Sequence, residues 1–436
     1  MLTLSHQHVH ANDSPVRPTP QRHRAGPAAS LPAALASLLK PILAKVVTLA
    51  IAGSLALAAV AGCASASNSP APSPPGDGDR VAVLITGTAH EPRPMLTARA
   101  LQEVRTAADS TNVTDGPGGK SSSALITTAD DQFFPVMALT PRRANGAVEH
   151  GLQRPRLIKN NLQQVLDTVA GVTATQPGTD LLEGMNDAVS GSDHGVLVVV
   201  SNGLSTRGGF DLRAVGWNAD PVLIVSQLRE RSLLPDLTGW RVLWTGLAAT
   251  TGDQPPLPKP IRDKLGSYWT AICAAAGAVS CQFDETRLAP TPPATTVEMP
   301  IVPIPGITSV TGPSGTVTTL PDALLGFGPE SAALSPAAAE LIDDVAADIA
   351  AKLAGRPEAT ATITGFTADP PESTLSGRQQ LSLARAQAVA DALAAAGITH
   401  TIIVAGGGAA PGTTAMQDGV FVEAIASQMR RTEISY

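Results

Sequence analysis

The chain lacks any dense stripe of lysine and arginine: 30 basic against 37 acidic side chains leave a formal net charge of -7. Nucleic-acid binders usually carry a basic patch that neutralises phosphates, so this absence argues against a DNA or RNA partner. Cysteine is scarce, with only Cys63, Cys273 and Cys281 in 436 residues. Catalytic signatures are missing as well, with no GxSxG elbow and no HExxH helix. His90, His150, His194 and His400 stand singly and read as surface or capping residues rather than ligands. Asp130 and Asp131 form an acidic pair in a turn, without the spaced partner that general acid and base roles need. The run Gly118, Gly119, Lys120, Ser121 has Thr114 at the first glycine position of a phosphate loop and reads as a solvated loop. We therefore expect no enzyme activity, no resident metal and no cofactor.

What is present is enough apolar side chain, 43% of residues, to bury real cores. The length fits two folded units plus tails. Val46 to Gly62 is an unbroken run of apolar and small residues, preceded by Arg22, Arg24, Lys40 and Lys45 and followed by Cys63. That is the pattern of an export segment. Val60, Ala61, Gly62 and Cys63 resemble a bacterial lipobox, which implies lipidation at Cys63. The rival reading is an uncleaved membrane anchor. Either reading puts the rest of the chain on the extracytoplasmic side, where the even pair Cys273 and Cys281 is expected to form a small disulfide loop.

Five segments follow: 1–63 for export, a Ser/Pro/Gly-rich tether over 64–79, a folded domain over 80–287, a Pro/Thr-rich linker over 288–315, and a second domain over 316–436. In the first domain, Val81 to Ile85, Val196 to Val200 and Arg241 to Gly246 read as buried parallel strands. Helical patterns over 101–108, 157–172, 181–189, 222–233 and 261–276 separate them, which predicts a layered α/β fold. In the second, an extended 316–325 precedes a helix opened by Ser335 and Pro336 with the ridge Leu341, Val345, Ile349, Leu353. Strands over 360–367, 401–405 and 430–435 and a helix over 375–396 complete an α+β two-layer sandwich.

Arg385 is the most informative residue, because it shares a helical ridge with the apolar Leu381, Val389 and Leu393. A guanidinium on an inward face needs an anion, and Asp369 is the nearest candidate in sequence. Such a pair makes a receptor for a zwitterionic amino acid. Ile363 to Asp369 with Leu381 to Val389 resembles the GHTD and LSxxRAxxV signatures of OmpA-like domains. Phe327-Gly328, the Gly406 to Pro411 loop and Met429 to Ile434 extend the resemblance over about 316–436. It implies non-covalent binding of the diaminopimelate of peptidoglycan stem peptides, with the gripping roles on Asp369 and Arg385. Two departures stand out: Ala368 occupies the place of the family's Asp, with Asp369 one position later, and Arg378 stands where the family has Asn.

Pro177 to Leu182 and Val200 to Ser205 resemble the second and third loops of a von Willebrand factor A domain. That family's cation site needs carboxylates, but the first loop here is Thr86, Gly87, Thr88, Ala89, His90 and the third carries Asn202. Hard cations prefer charged oxygen, so a metal-free scaffold or protein-interaction domain is expected. The whole reads as a cell-envelope lipoprotein that tethers membrane to peptidoglycan. The alternative is an adhesion or assembly protein, with a protein partner on the middle domain and an OmpA-like domain that only localises it.

Overall fold

The computed structural model describes residues 76–116, 118–328 and 330–436. The export segment, Cys63 and the tether as far as 75 lie outside the described residues. Among those described, no helix is long and apolar enough to cross a membrane.

The first lobe contains β1 (Gly76–Ile85), α1 (Ala98–Ala108), β2 (Lys120–Thr128), β3 (Met137–Ala138), α2 (Arg154–Gly171), α3 (Leu181–Val189), β4 (Gly195–Val200), α4 (Leu212–Val215), α5 (Pro221–Glu230), β5 (Trp240–Thr245), α6 (Lys259–Ala275) and β6 (Ser280–Asp284). The strands form one sheet in the order β3-β2-β1-β4-β5-β6, parallel except for the short edge strand β3. Side chains alternate across a strand, so the continuous apolar run of β1 serves both faces. Val81, Val83 and Ile85 meet Val104 of α1 and Leu162 and Val165 of α2. Ala82 and Leu84 meet α3, α5 and α6 on the other face. Cys273 and Cys281 are joined in a disulfide between α6 and β6, with Cα atoms 6.1 Å apart.

The second lobe contains β7 (Thr308–Gly312), β8 (Gly315–Pro321), α7 (Asp322–Leu325), α8 (Pro336–Leu353), β9 (Thr360–Thr367), α9 (Leu375–Ala395), β10 (Thr401–Ala409), β11 (Met416–Gln417), β12 (Val420–Phe421), α10 (Glu423–Met429) and β13 (Arg431–Ser435). The sheet order is β10-β9-β13-β8-β7, with α8 and α9 burying Val345, Ile349, Val389 and Leu393 against Ile363 and Ile434. α9 lies so close to β9 that a Cβ on Gly365 would run into the carbonyl of Ser382. Gly365→Ala is therefore expected to destabilise the chain by about 1–3 kcal/mol in a denaturant melt, through overpacking against backbone that has nowhere to move.

Four sequence expectations need correction. β1 already includes Gly76 to Asp79, which were expected to belong to the tether. Lys120 and Ser121, read as loop, begin β2, whose Ser122 and Ser123 are buried. The stretch 316–325 is not continuously extended: β8 ends at Pro321 and the chain turns into α7, closed by Gly326 at φ 70°. The linker contributes β7 to the second sheet, and the rest of it is pinned to the first lobe. Arg93 N–H donates to Thr291 O at 2.8 Å, and the Gln254 side chain exchanges two hydrogen bonds with the Val302 backbone, at 2.8 and 2.9 Å.

Beside the second lobe's own core, one apolar cluster joins the two lobes. Val302, Ala323 and Leu324 are buried in the same apolar cluster as Trp217, Ile261 and Tyr268. Trp217 Nε1 donates to Pro303 O at 2.8 Å.

Candidate functional site

A cleft at the second lobe holds about 480 Å³ and is lined by the β8–α7 corner, Phe327, Gly328 and Glu330, the end of β9 and the first turns of α9. Asn218 of the first lobe and Arg430 also face it. Arg385 lies at its base, 4% exposed, as its place on the apolar ridge of α9 requires. Its Nη1 meets Asp322 Oδ2 at 2.6 Å, Nε donates to Ser331 O at 3.0 Å, and Nη2 donates to Gly328 O at 3.0 Å. The guanidinium also sits over the Phe327 ring, 5.2 Å from its centroid.

The expected pairing of Arg385 with Asp369 is thus replaced by one with Asp322, which is 1% exposed. Asp369 instead accepts from Ala415 N–H at 2.9 Å and the Thr414 hydroxyl at 2.7 Å, and it does not line the cleft. Asp369 is thereby committed to the 414–415 segment, while Ala368, 3% exposed, borders the cleft and packs with Ala410 and Ala415 in a small apolar cluster. Asp322 escaped the sequence reading because 316–325 looked like one strand. The signal was there in Pro321 and Gly326, which bracket a single helical turn.

Burial pushes the Asp322 carboxyl up to about 6, against the attraction of Arg385 and Arg430. Burial also lowers Arg385, against the attraction of Asp322. Both shifts mean that desolvation outweighs the pairing. For Asp369, burial raises the carboxyl, but the bonds from Ala415 and Thr414 and the charge of Arg378 outweigh it and hold the group low. The Asp322 shift has a stability consequence. Between the usual carboxylate value and about 6 the folded chain holds a proton that the unfolded chain has released, so stability falls as pH rises through that window. The loss is about 3 kcal/mol at most. Chemical denaturation between pH 4 and pH 7, with the Asp322 carboxyl followed by NMR, measures both the slope and the midpoint.

In the first lobe, strand order reverses between β1 and β4, the place where open α/β sheets bind ligands. The loops expected to meet there do meet, but their oxygens are committed. Asn202 Oδ1 accepts from Leu204 N–H at 2.9 Å, and the Thr179 hydroxyl donates to Leu204 O at 3.2 Å. Glu91, which sequence reasoning missed, is 3% exposed and accepts from Thr88 N–H at 2.7 Å and Asn202 N–H at 3.0 Å. Burial raises its carboxyl, with the hydrogen bonds opposing. Met299, Pro300 and Val302 cover the spot and leave about 10 Å³, barely room for one water. A carboxylate engaged by backbone N–H groups and enclosed in this way is a poor ligand for a hard cation. Millimolar Mg²⁺ or Ca²⁺ is expected to leave the melting temperature of the chain unchanged, as a thermal scan with and without EDTA checks.

Residues 326–421 match the OmpA family, so the second lobe carries an OmpA-family domain. No curated protein matches the chain. Among solved structures, the chain is similar to the periplasmic domain of Helicobacter pylori MotB (residues 78–256), at 22% identity over 30% of this chain and 80% of that one, TM-score 0.24. It is also similar to the cell wall anchor of the T6SS from Pseudomonas aeruginosa, at 28% identity over 29% and 85%, TM-score 0.24. A third similarity is to an outer membrane protein from Borrelia burgdorferi B31, at 18% identity over 30% and 96%, TM-score 0.22.

Proposed function

We propose that this chain is a non-enzymatic cell-envelope lipoprotein that holds peptidoglycan non-covalently in the cleft of its second lobe. The observation that carries the reading is the OmpA-family match over 326–421 coinciding with a polar cleft built on the buried Arg385. The cleft suits a small ligand with charges of both signs: Asp322, Glu330, Arg378 and Arg430 all border it. Diaminopimelate, an amino acid with two zwitterionic ends, has that character. At the other end of the chain Cys63 carries the acyl chains, whose buried methylenes contribute about 0.8 kcal/mol each. Membrane and wall are thereby linked through one polypeptide.

The first lobe serves as a metal-free, von Willebrand A-like scaffold. Its strand order and the three loops meeting above β1 and β4 support that reading, while the strap over 299–302 closes the place where such a sheet would take a ligand. That covering favours the tether over the adhesion reading.

The test is co-sedimentation of the full chain with purified sacculi, with free meso-diaminopimelate as competitor. Saturable, competed binding is expected; absence of sedimentation of folded protein contradicts the proposal. Cys63→Ser is expected to abolish fatty-acid labelling and membrane association, and unchanged labelling would remove the lipoprotein part.

A further inference from the structure

Two buried polar atoms of opposite character at this cleft have no protein partner: the Oδ1 of Asp322, an acceptor, and the Nε of Arg378, a donor. Both residues line the cleft. Buried polar groups are rarely left without partners, and such orphans at a cleft mark what a ligand would bring. An ammonium satisfies the first and a carboxylate the second.

We propose that Asp322 and Arg378 form the clamp for the α-amino-carboxylate end of the ligand, with Arg385 as a positioning residue. This rests on the reading that the cleft takes diaminopimelate, and it assigns the roles differently from the Asp369 and Arg385 pair. All three nitrogens of Arg385 already donate within the protein, to Asp322, Gly328 and Ser331. Its work is to hold the β8–α7 corner and the 328–331 loop in place. Asp369 is held by Thr414 and Ala415, and Ala368 offers only a methyl group. Asp322 Oδ2 is fixed on Arg385, which leaves Oδ1 as the remaining acceptor of the one nearly fully buried carboxylate at the cleft. Arg378 is fixed too, because its Nη1 donates to Ser373 O at 3.2 Å and to Ser373 Oγ at 2.7 Å. A charge-assisted contact to each end of a zwitterion follows. The acid has moved from the end of β9 to the β8–α7 corner, and a second arginine stands in the first turns of α9.

The experiment is calorimetric titration of the full chain with three probes: meso-diaminopimelate, pimelate, which lacks the ammonium groups, and 1,5-diaminopentane, which lacks the carboxylates. The wild type is expected to prefer diaminopimelate over either by roughly 10- to 100-fold. Asp322→Asn is expected to remove the preference over pimelate and keep that over 1,5-diaminopentane. Arg378→Gln should do the reverse, and Asp369→Asn should change neither. Preferences unchanged in folded Asp322→Asn and Arg378→Gln, or lost in Asp369→Asn, overturn the assignment. If Asp322→Asn does not fold, Arg378→Gln decides, because that side chain is only partly buried. Wild-type protein that binds sacculi but discriminates none of the probes overturns this assignment alone, whereas protein that binds neither overturns the functional reading with it.

Discussion

Arg385→Ala is expected to lower the stability of the chain by about 3–5 kcal/mol, because it leaves Asp322 buried without its cation. The pair is almost fully enclosed, with side chains 5% and 2% exposed, so water cannot replace the lost partner. The same change releases the carbonyls of Gly328 and Ser331 and removes the guanidinium from the Phe327 ring. Two controls separate charge from packing. Acidification should return part of the loss, since without the lowering effect of Arg385 the buried carboxyl is raised further and takes up a proton more readily. Replacing both partners by apolar residues, Asp322→Leu with Arg385→Met, should cost far less than the single change, because burial of the ion pair is itself unfavourable. Denaturant titrations of the three variants at pH 5 and pH 8 measure these differences. A single variant as stable as wild type would mean that the pair is solvated and the cleft is not built as described.

Trp217→Ala is the second large effect, with an expected loss of about 3–5 kcal/mol. Trp217 is 5% exposed, belongs to the cluster that joins the lobes, and holds the strap through its bond to Pro303 O. Trp217→Phe keeps most of the apolar area and loses only the indole bond, for about 1 kcal/mol. Because the core is shared, calorimetry of the wild type should show one transition for both lobes, and Trp217→Ala should split or broaden it. Two independent transitions in the wild type would contradict a shared core.

The same shared core marks where sequence reasoning ran out. The apolar runs at Val81 and Val196 and the ridge of α8 announced their elements, because each is written locally, the strands as short continuous apolar runs and the helix as a period of 3.6 residues. Helix α3, read as 181–189, has those bounds in the structure. The start of β2 was not legible, since Ser121 to Ser123 have no strand-like side chains and are buried between β1 and β3. The Pro/Thr-rich segment read as a linker by composition, yet Val302 is fully buried and Gln254 ties it to the first lobe. No local pattern reports a contact made across so many intervening residues. At the site, the inward placement of Arg385 was legible from its ridge. Its partner was not, because Asp322 lies 63 residues away, on a turn whose only signals are Pro321 and Gly326.

The central claim is that the second-lobe cleft recognises diaminopimelate. Its most direct test is an amide chemical-shift titration of the full chain with meso-diaminopimelate. Saturable shifts confined to the cleft, at Thr367, Ala368, Ser373 and Leu381, are the predicted result. Shifts that do not saturate, or that map to the first-lobe loops around Glu91 and Asn202, would contradict it.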